Sequence, residues 1–93
     1  MYVLIEHSIS DPNGFWSTAD SALAQMPPTI KLHHTFPTPD GTRAICVWEG
    51  RTIDDVRDYI ESAVGRFSRN EYFEVVNKEG VVNPRGERAQ IHA

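Results

Sequence analysis

A single cysteine, Cys46, stands in the 93 residues. One thiol excludes an internal disulfide and any multi-cysteine metal site. Cationic residues are also scarce: 9 Lys and Arg face 13 Asp and Glu, for a formal net charge of -4. Neutralising phosphates needs a basic surface, so no nucleic-acid partner is expected. Long apolar runs are missing too. The opening Tyr2-Val3-Leu4-Ile5 is interrupted by Glu6 and His7, too soon for a signal-peptide core or a membrane span. No basic amphipathic helix suggests a membrane face, and no targeting segment is visible, so the expectation is a cytoplasmic protein without a membrane partner. Glycine-rich phosphate loops, a Gly-x-Ser-x-Gly elbow, a His-x-x-x-His helix, internal repeats and low-complexity tracts are all absent.

What is present is ordinary globular material, 40% hydrophobic and 24% charged, enough for one domain and too little for two. Residues 2–9 are dense in β-formers and read as a strand. Asp11 before Pro12 suits a helix N-cap with proline at the first helical position. Phe15, Trp16, Ala19, Ala22, Leu23 and Met26 then recur at helical spacing until Pro27-Pro28. A second strand over about 29–36 and a third over 42–49 flank Pro37-Thr38-Pro39-Asp40-Gly41, whose Asp-Gly supplies turn chemistry. Thr52 caps a second helix carrying Ile53, Val56, Ile60, Ala63, Val64 and Phe67, with Arg57 and Glu61 able to pair one turn apart. Gly65 is placed for a left-handed C-cap. Residues 70–77 read as a fourth strand. The order β-α-β-β-α-β predicts an α+β ferredoxin-like fold, a four-stranded antiparallel sheet with both helices on one face. Residues 1–80 form the domain, and 81–93 read as a polar tail.

Two helices cover one face only. Strand parity assigns Val3, Ile5, Ile45, Val47, Phe73 and Val75 to the helices, leaving Tyr2, Leu4, Ala44, Cys46, Trp48, Tyr72 and Val76 on the other side. A solvated antiparallel sheet is usually polar there. An apolar second face marks an interface or a ligand surface, and sheet-to-sheet homodimerisation would cover it. Glu6, Glu74 and one of His33 or His34 are set within that face.

The segments Cys46-Val47-Trp48-Glu49, Thr52-Ile53-Asp54-Asp55-Val56-Arg57 and Glu74-Val75, with Glu6 late in the first strand, resemble one branch of the dimeric α+β-barrel superfamily. That branch holds small, mostly uncharacterised proteins, including nickel-binding ones. The likeness spans roughly residues 2–77. His33-His34-Thr35-Phe36 departs from it, since the branch would place a Trp followed by a Ser-aromatic pair there. The resemblance implies the fold, a dimer and, more faintly, a metal.

The residues themselves leave several chemistries open. A nickel or other transition-metal ion would take His33 or His34 with Glu6, Glu49 or Glu74. Adjacent histidines on a regular strand point to opposite faces, so a second imidazole would have to come from His7 or a partner chain. As an enzyme, the cavity would use Glu6 or Glu74 as a general base desolvated among Tyr2, Tyr72 and Trp48, with His33 as its partner. Cofactor-independent monooxygenases and isomerases of the superfamily make that reading available by analogy. The leading expectation is a dimer binding a small molecule or metal ion in a cavity on the non-helical face, lined by Tyr2, Leu4, Glu6, Cys46, Trp48, Tyr72 and Glu74. A purely structural or interaction role is the remaining alternative. Cys46, in a central strand without basic neighbours, reads as packing rather than as a nucleophile.

Overall fold

The computed structural model describes residues 1–76, so the expected tail at 81–93 lies outside the described residues. Its elements run β1 (Tyr2–Ile9), α1 (Pro12–Ala24), β2 (Lys31–Pro37), β3 (Arg43–Glu49), α2 (Ile53–Val64) and β4 (Ser68–Val75). The sheet order is β2-β3-β1-β4, with every neighbouring pair antiparallel. This is the expected βαββαβ arrangement. No helix among the described residues is long and apolar enough to cross a membrane.

Local chemistry sets the boundaries. Asp11 caps α1 by accepting from the Gly14 N–H at 3.1 Å, and Pro12 occupies its first turn. Thr52 caps α2 in the same way, its hydroxyl accepting from the Asp55 N–H at 3.0 Å. Asp54 and Asp55 then sit in the first turn, where the helix dipole favours negative charge. The β2–β3 hairpin turns at Gly41, the one positive-φ residue among those described, at φ 73°.

Three local expectations are corrected. Gly65 keeps right-handed backbone, at φ -58°, because the chain continues as a turn toward β4 and needs no left-handed residue. Phe67 lies beyond α2 and anchors the next connection instead, its carbonyl accepting from the Ser10 N–H at 2.8 Å. Arg57 pairs with Asp54 at 2.7 Å rather than with Glu61, whose carboxylate is taken by Asn70 and Tyr72.

The core lies between the sheet and both helices. Val3, Ile5 and Val56 are fully buried, packed with Phe15, Ile60 and Val64 from the helices. Each such side chain contributes roughly 1.5–3 kcal/mol relative to leaving it exposed. The pairing Val3↔Trp48 and Ile5↔Cys46 fixes which residues of β3 join them. Ala44, Cys46 and Trp48 face the helices and are buried, whereas Ile45 is 42% exposed. The expected parity of β3 is therefore reversed. It is reversed in β4 as well: Ile5↔Tyr72 and Val3↔Glu74 put Tyr72 and Glu74 on the helical side. Phe73 faces away from the helices and is 44% exposed. Ala44, Cys46 and Trp48 thus share the covered face, while the β-branched Ile45 and Val47 go to the other side.

Candidate functional site

Each face of the sheet carries a concavity relevant to function. The first lies between the sheet and the helices and measures about 280 Å³. Its deep part is lined by His7, Phe15, Cys46, Trp48, Ile60 and Val64, all buried. Asp20, Leu23 and Thr35 are the exposed residues of its lining and mark a mouth between α1 and the edge strand β2. Trp16 and Tyr59 complete aromatic walls. Both are held by backbone: the Trp16 indole donates to the Gly41 carbonyl at 3.0 Å, and the Tyr59 hydroxyl donates to the Ala22 carbonyl at 2.6 Å. The Trp48 indole N–H, by contrast, is buried without a partner among the described residues. An apolar chamber with a few polar groups is the usual form of a small-molecule site.

His7 is the buried polar residue of this region, only 2% exposed. Its Nδ1 lies 2.6 Å from the Asn70 side-chain oxygen, and its ring meets Phe15 edge-on at 5.2 Å. Desolvation holds the imidazole below its ordinary pKa; the Asn70 bond and the Glu61 charge oppose this without overcoming it. A polar chain leads outward from His7. Asn70 Nδ2 donates to Glu61 Oε2 at 2.7 Å, and the Tyr72 hydroxyl donates to the same oxygen in a short bond. Burial, then that bond, pushes the Tyr72 phenol far up, so it stays protonated. Arg57 lies over the Tyr72 ring, 5.5 Å from its centroid.

The second concavity, about 320 Å³, lies on the open face and is lined by Tyr2, His33, His34, Val47, Val75 and Val76. A bulge creates it. The β2–β3 register shifts between Leu32 and His34, leaving His33 as the extra residue. His34 then pairs with Val47 and stacks on Phe36 at 5.6 Å. His33 turns to the same side, 2.8 Å from Glu49 and edge-on to Tyr2 at 5.3 Å. The Glu49 carboxyl is held below its ordinary range, chiefly by that bond. Regular strand geometry would have separated the two histidines; the bulge unites them.

Of the residues named from sequence, Tyr2, Leu4, Glu6, His33, His34 and Glu49 lie on the non-helical face, and of these Tyr2, His33 and His34 line the concavity there. Glu6 is set apart from the histidines, beside Phe36, Thr38 and Arg43. Cys46, Trp48, Tyr72 and Glu74 belong to the helical side, as the strand pairing dictates. His7 is also on that side, so it cannot supply a second imidazole to His33 or His34. Burial raises the Cys46 thiol above its ordinary pKa, as suits a packing residue. Among the described residues no group of three or more His, Cys, Asp or Glu side chains is placed to hold a metal ion. One chain's open face therefore does not fit a nickel site by itself.

His7, Asn70 and Glu61 were not singled out as site residues from sequence. A signal for the first existed: Val3, Ile5, His7 and Ile9 alternate along one strand, which puts the histidine on the buried face. Compared with known protein families, curated proteins and solved structures, the chain matches none, so the site reading rests on its own geometry.

Proposed function

We propose that the protein binds a small, neutral, ring-containing molecule in the chamber between sheet and helices, and does so as a homodimer joined through the open sheet faces. The observation that carries this is the chamber itself: about 280 Å³, walled by Phe15, Trp16, Trp48 and Tyr59, with the mouth beside β2. A dry cavity of roughly 150 Å³ already takes up benzene. Aromatic walls favour rings through edge and offset contacts. A charged ligand is disfavoured, because among the described residues the lining offers no Lys or Arg and places Asp20 near the mouth. The dimer is supported by Phe36 at 62%, Ile45 at 42% and Phe73 at 44% exposure on a face that one chain leaves uncovered among the described residues.

Indole is a suitable first probe, followed by amide and methyl NMR shifts on the full chain. Shifts centred on Phe15, Cys46, Ile60 and Val64 are the expected result. Shifts confined to Tyr2, Val47 and Val75 would move the site to the open face, and no shift at all would overturn the reading.

The bulge favours a second reading, in which a transition-metal ion sits between two copies, each contributing His33 and His34. That reading needs the dimer to complete the ligand set, and stands or falls with it.

A further inference from the structure

Asn70 fixes the proton on His7. Its Nδ2 is committed to the Glu61 carboxylate at 2.7 Å, and a carboxylate can only accept. Its Oδ1 must therefore be the atom facing His7 and Ser68. The Ser68 hydroxyl donates to that oxygen at 2.7 Å, and His7 Nδ1 reaches it at 2.6 Å. An oxygen accepting there requires Nδ1 to carry the hydrogen. Neutral His7 thus has the Nδ1–H tautomer, and Nε2 is left as the basic nitrogen. Among the described residues nothing bonds to Nε2, and the ring it belongs to lines the chamber.

We infer that His7 Nε2 is the acceptor that orients the ligand, taking a hydrogen bond from the hydroxyl of a neutral phenol-like molecule. The inference rests on the chamber being the binding site. The chemistry follows from what the chamber lacks. His7, Cys46, Trp48 and Val64 line its deep end with one strong acceptor, one unpartnered indole N–H and, among the described residues, no cation, so a carboxylate or phosphate would be buried without a countercharge. A molecule without a donor would leave Nε2 unsatisfied. A phenol gives the aromatic walls a ring and gives Nε2 a hydrogen. Glu61, joined to His7 through Asn70, favours a partial positive charge on the imidazole as the phenol O–H polarises toward it. Asn70 and Glu61 act as positioning residues; neither lines the chamber.

The test uses the full chain with p-cresol and p-xylene, which differ only in a hydroxyl replaced by a methyl. Histidine 15N spectra of the free protein should show Nδ1 protonated and Nε2 bare at His7; the reverse pattern overturns the tautomer assignment and the inference with it. On titration, the His7 Nε2 resonance should move with p-cresol and stay with p-xylene. In His7→Phe the preference for p-cresol over p-xylene should fall about tenfold, the value of one hydrogen bond of this kind. If both probes bind the wild type and Nε2 is unmoved, the chamber stands and the role of His7 fails. If neither binds, the chamber reading fails as well. The resonance measurement is made on wild type, so it decides the matter even should the variant not fold.

Discussion

On the covered face of the sheet β1 presents Val3, Ile5, His7 and Ile9, all buried; on the open face it presents Tyr2, Leu4 and Glu6, each half-buried. β3 repeats the contrast, with Ala44, Cys46 and Trp48 beneath the helices and Ile45, Val47 and Glu49 opposite. Both faces are apolar, so composition does not separate them. They differ in how polar groups are treated. The covered face buries one imidazole and supplies it with Asn70 and, behind that, Glu61. The open face spreads Glu6, His33, His34 and Glu49 among hydrophobes without burying any of them. The first pattern is that of an interior finished within one chain. The second is that of a surface suited to another sheet.

The sharpest way to break this contrast is to truncate an isoleucine on each face. Ile5→Ala removes a fully buried side chain and should cost ~2–5 kcal/mol in urea unfolding at any protein concentration. Ile45→Ala should cost well under that, and its cost should shrink on dilution, because the proposed dimer would bury the exposed part of Ile45. Equal and concentration-independent losses would mean that Ile45 is already packed within one chain, and the two faces would no longer differ.

A charge placed on the open face tests the dimer directly. Phe36→Glu with Phe73→Glu should halve the mass measured by light scattering while leaving the far-UV spectrum of the fold intact. The same preparations, analysed for metal, bear on His33 and His34. Near-stoichiometric nickel, zinc or copper in the wild type that disappears with the dimer would favour an ion held between copies. A wild type that is already monomeric would remove both the dimer and the shared ion.

The fold was legible because its signals are local. Asp11-Pro12, Asp40-Gly41 and Thr52 each make the turn or cap that their chemistry demands. The conclusion that both sheet faces are apolar also survived, although the members of β3 and β4 were exchanged. It survived because β3 reads Ala-Ile-Cys-Val-Trp, apolar in both parities, so a one-residue slip changes the names and not the character. The site suffered more. Parity decides whether Cys46 and Trp48 line an inner chamber or an outer surface, and only the cross-strand register fixes it. The His33–His34 bulge was invisible for a related reason: nothing in the local sequence announces an extra residue in a strand. His7 was within reach, since its neighbours at two-residue spacing are Ile5 and Ile9, yet its Asn70 partner lies 63 residues away.

The smallest expected effect compares the faces through pH. Burial lowers the folded-state pKa of His7 from its ordinary 6.5, so the unfolded chain takes up that proton first. Stability should therefore fall as the pH drops below that value, and the loss should continue until the folded pKa is reached; above 6.5 His7 contributes no slope. Glu49 on the open face has the same ordering in a lower range of pH. Its carboxyl is lowered from 4.5 by His33, so its contribution is present above that value and is lost as the pH falls through the folded pKa. The His7 window opens at 6.5 and the Glu49 window only at 4.5, so between those values one variant isolates the covered face. Urea midpoints at about pH 7.5 and about pH 5.5 should fall further apart in the wild type than in His7→Phe, because the variant has no imidazole to charge on unfolding. His33 and His34 are common to both proteins and cancel in the difference. Equal losses would mean that the covered face tolerates a charged His7, and the contrast between a dry inner surface and a wet outer one would fail at its most polar residue.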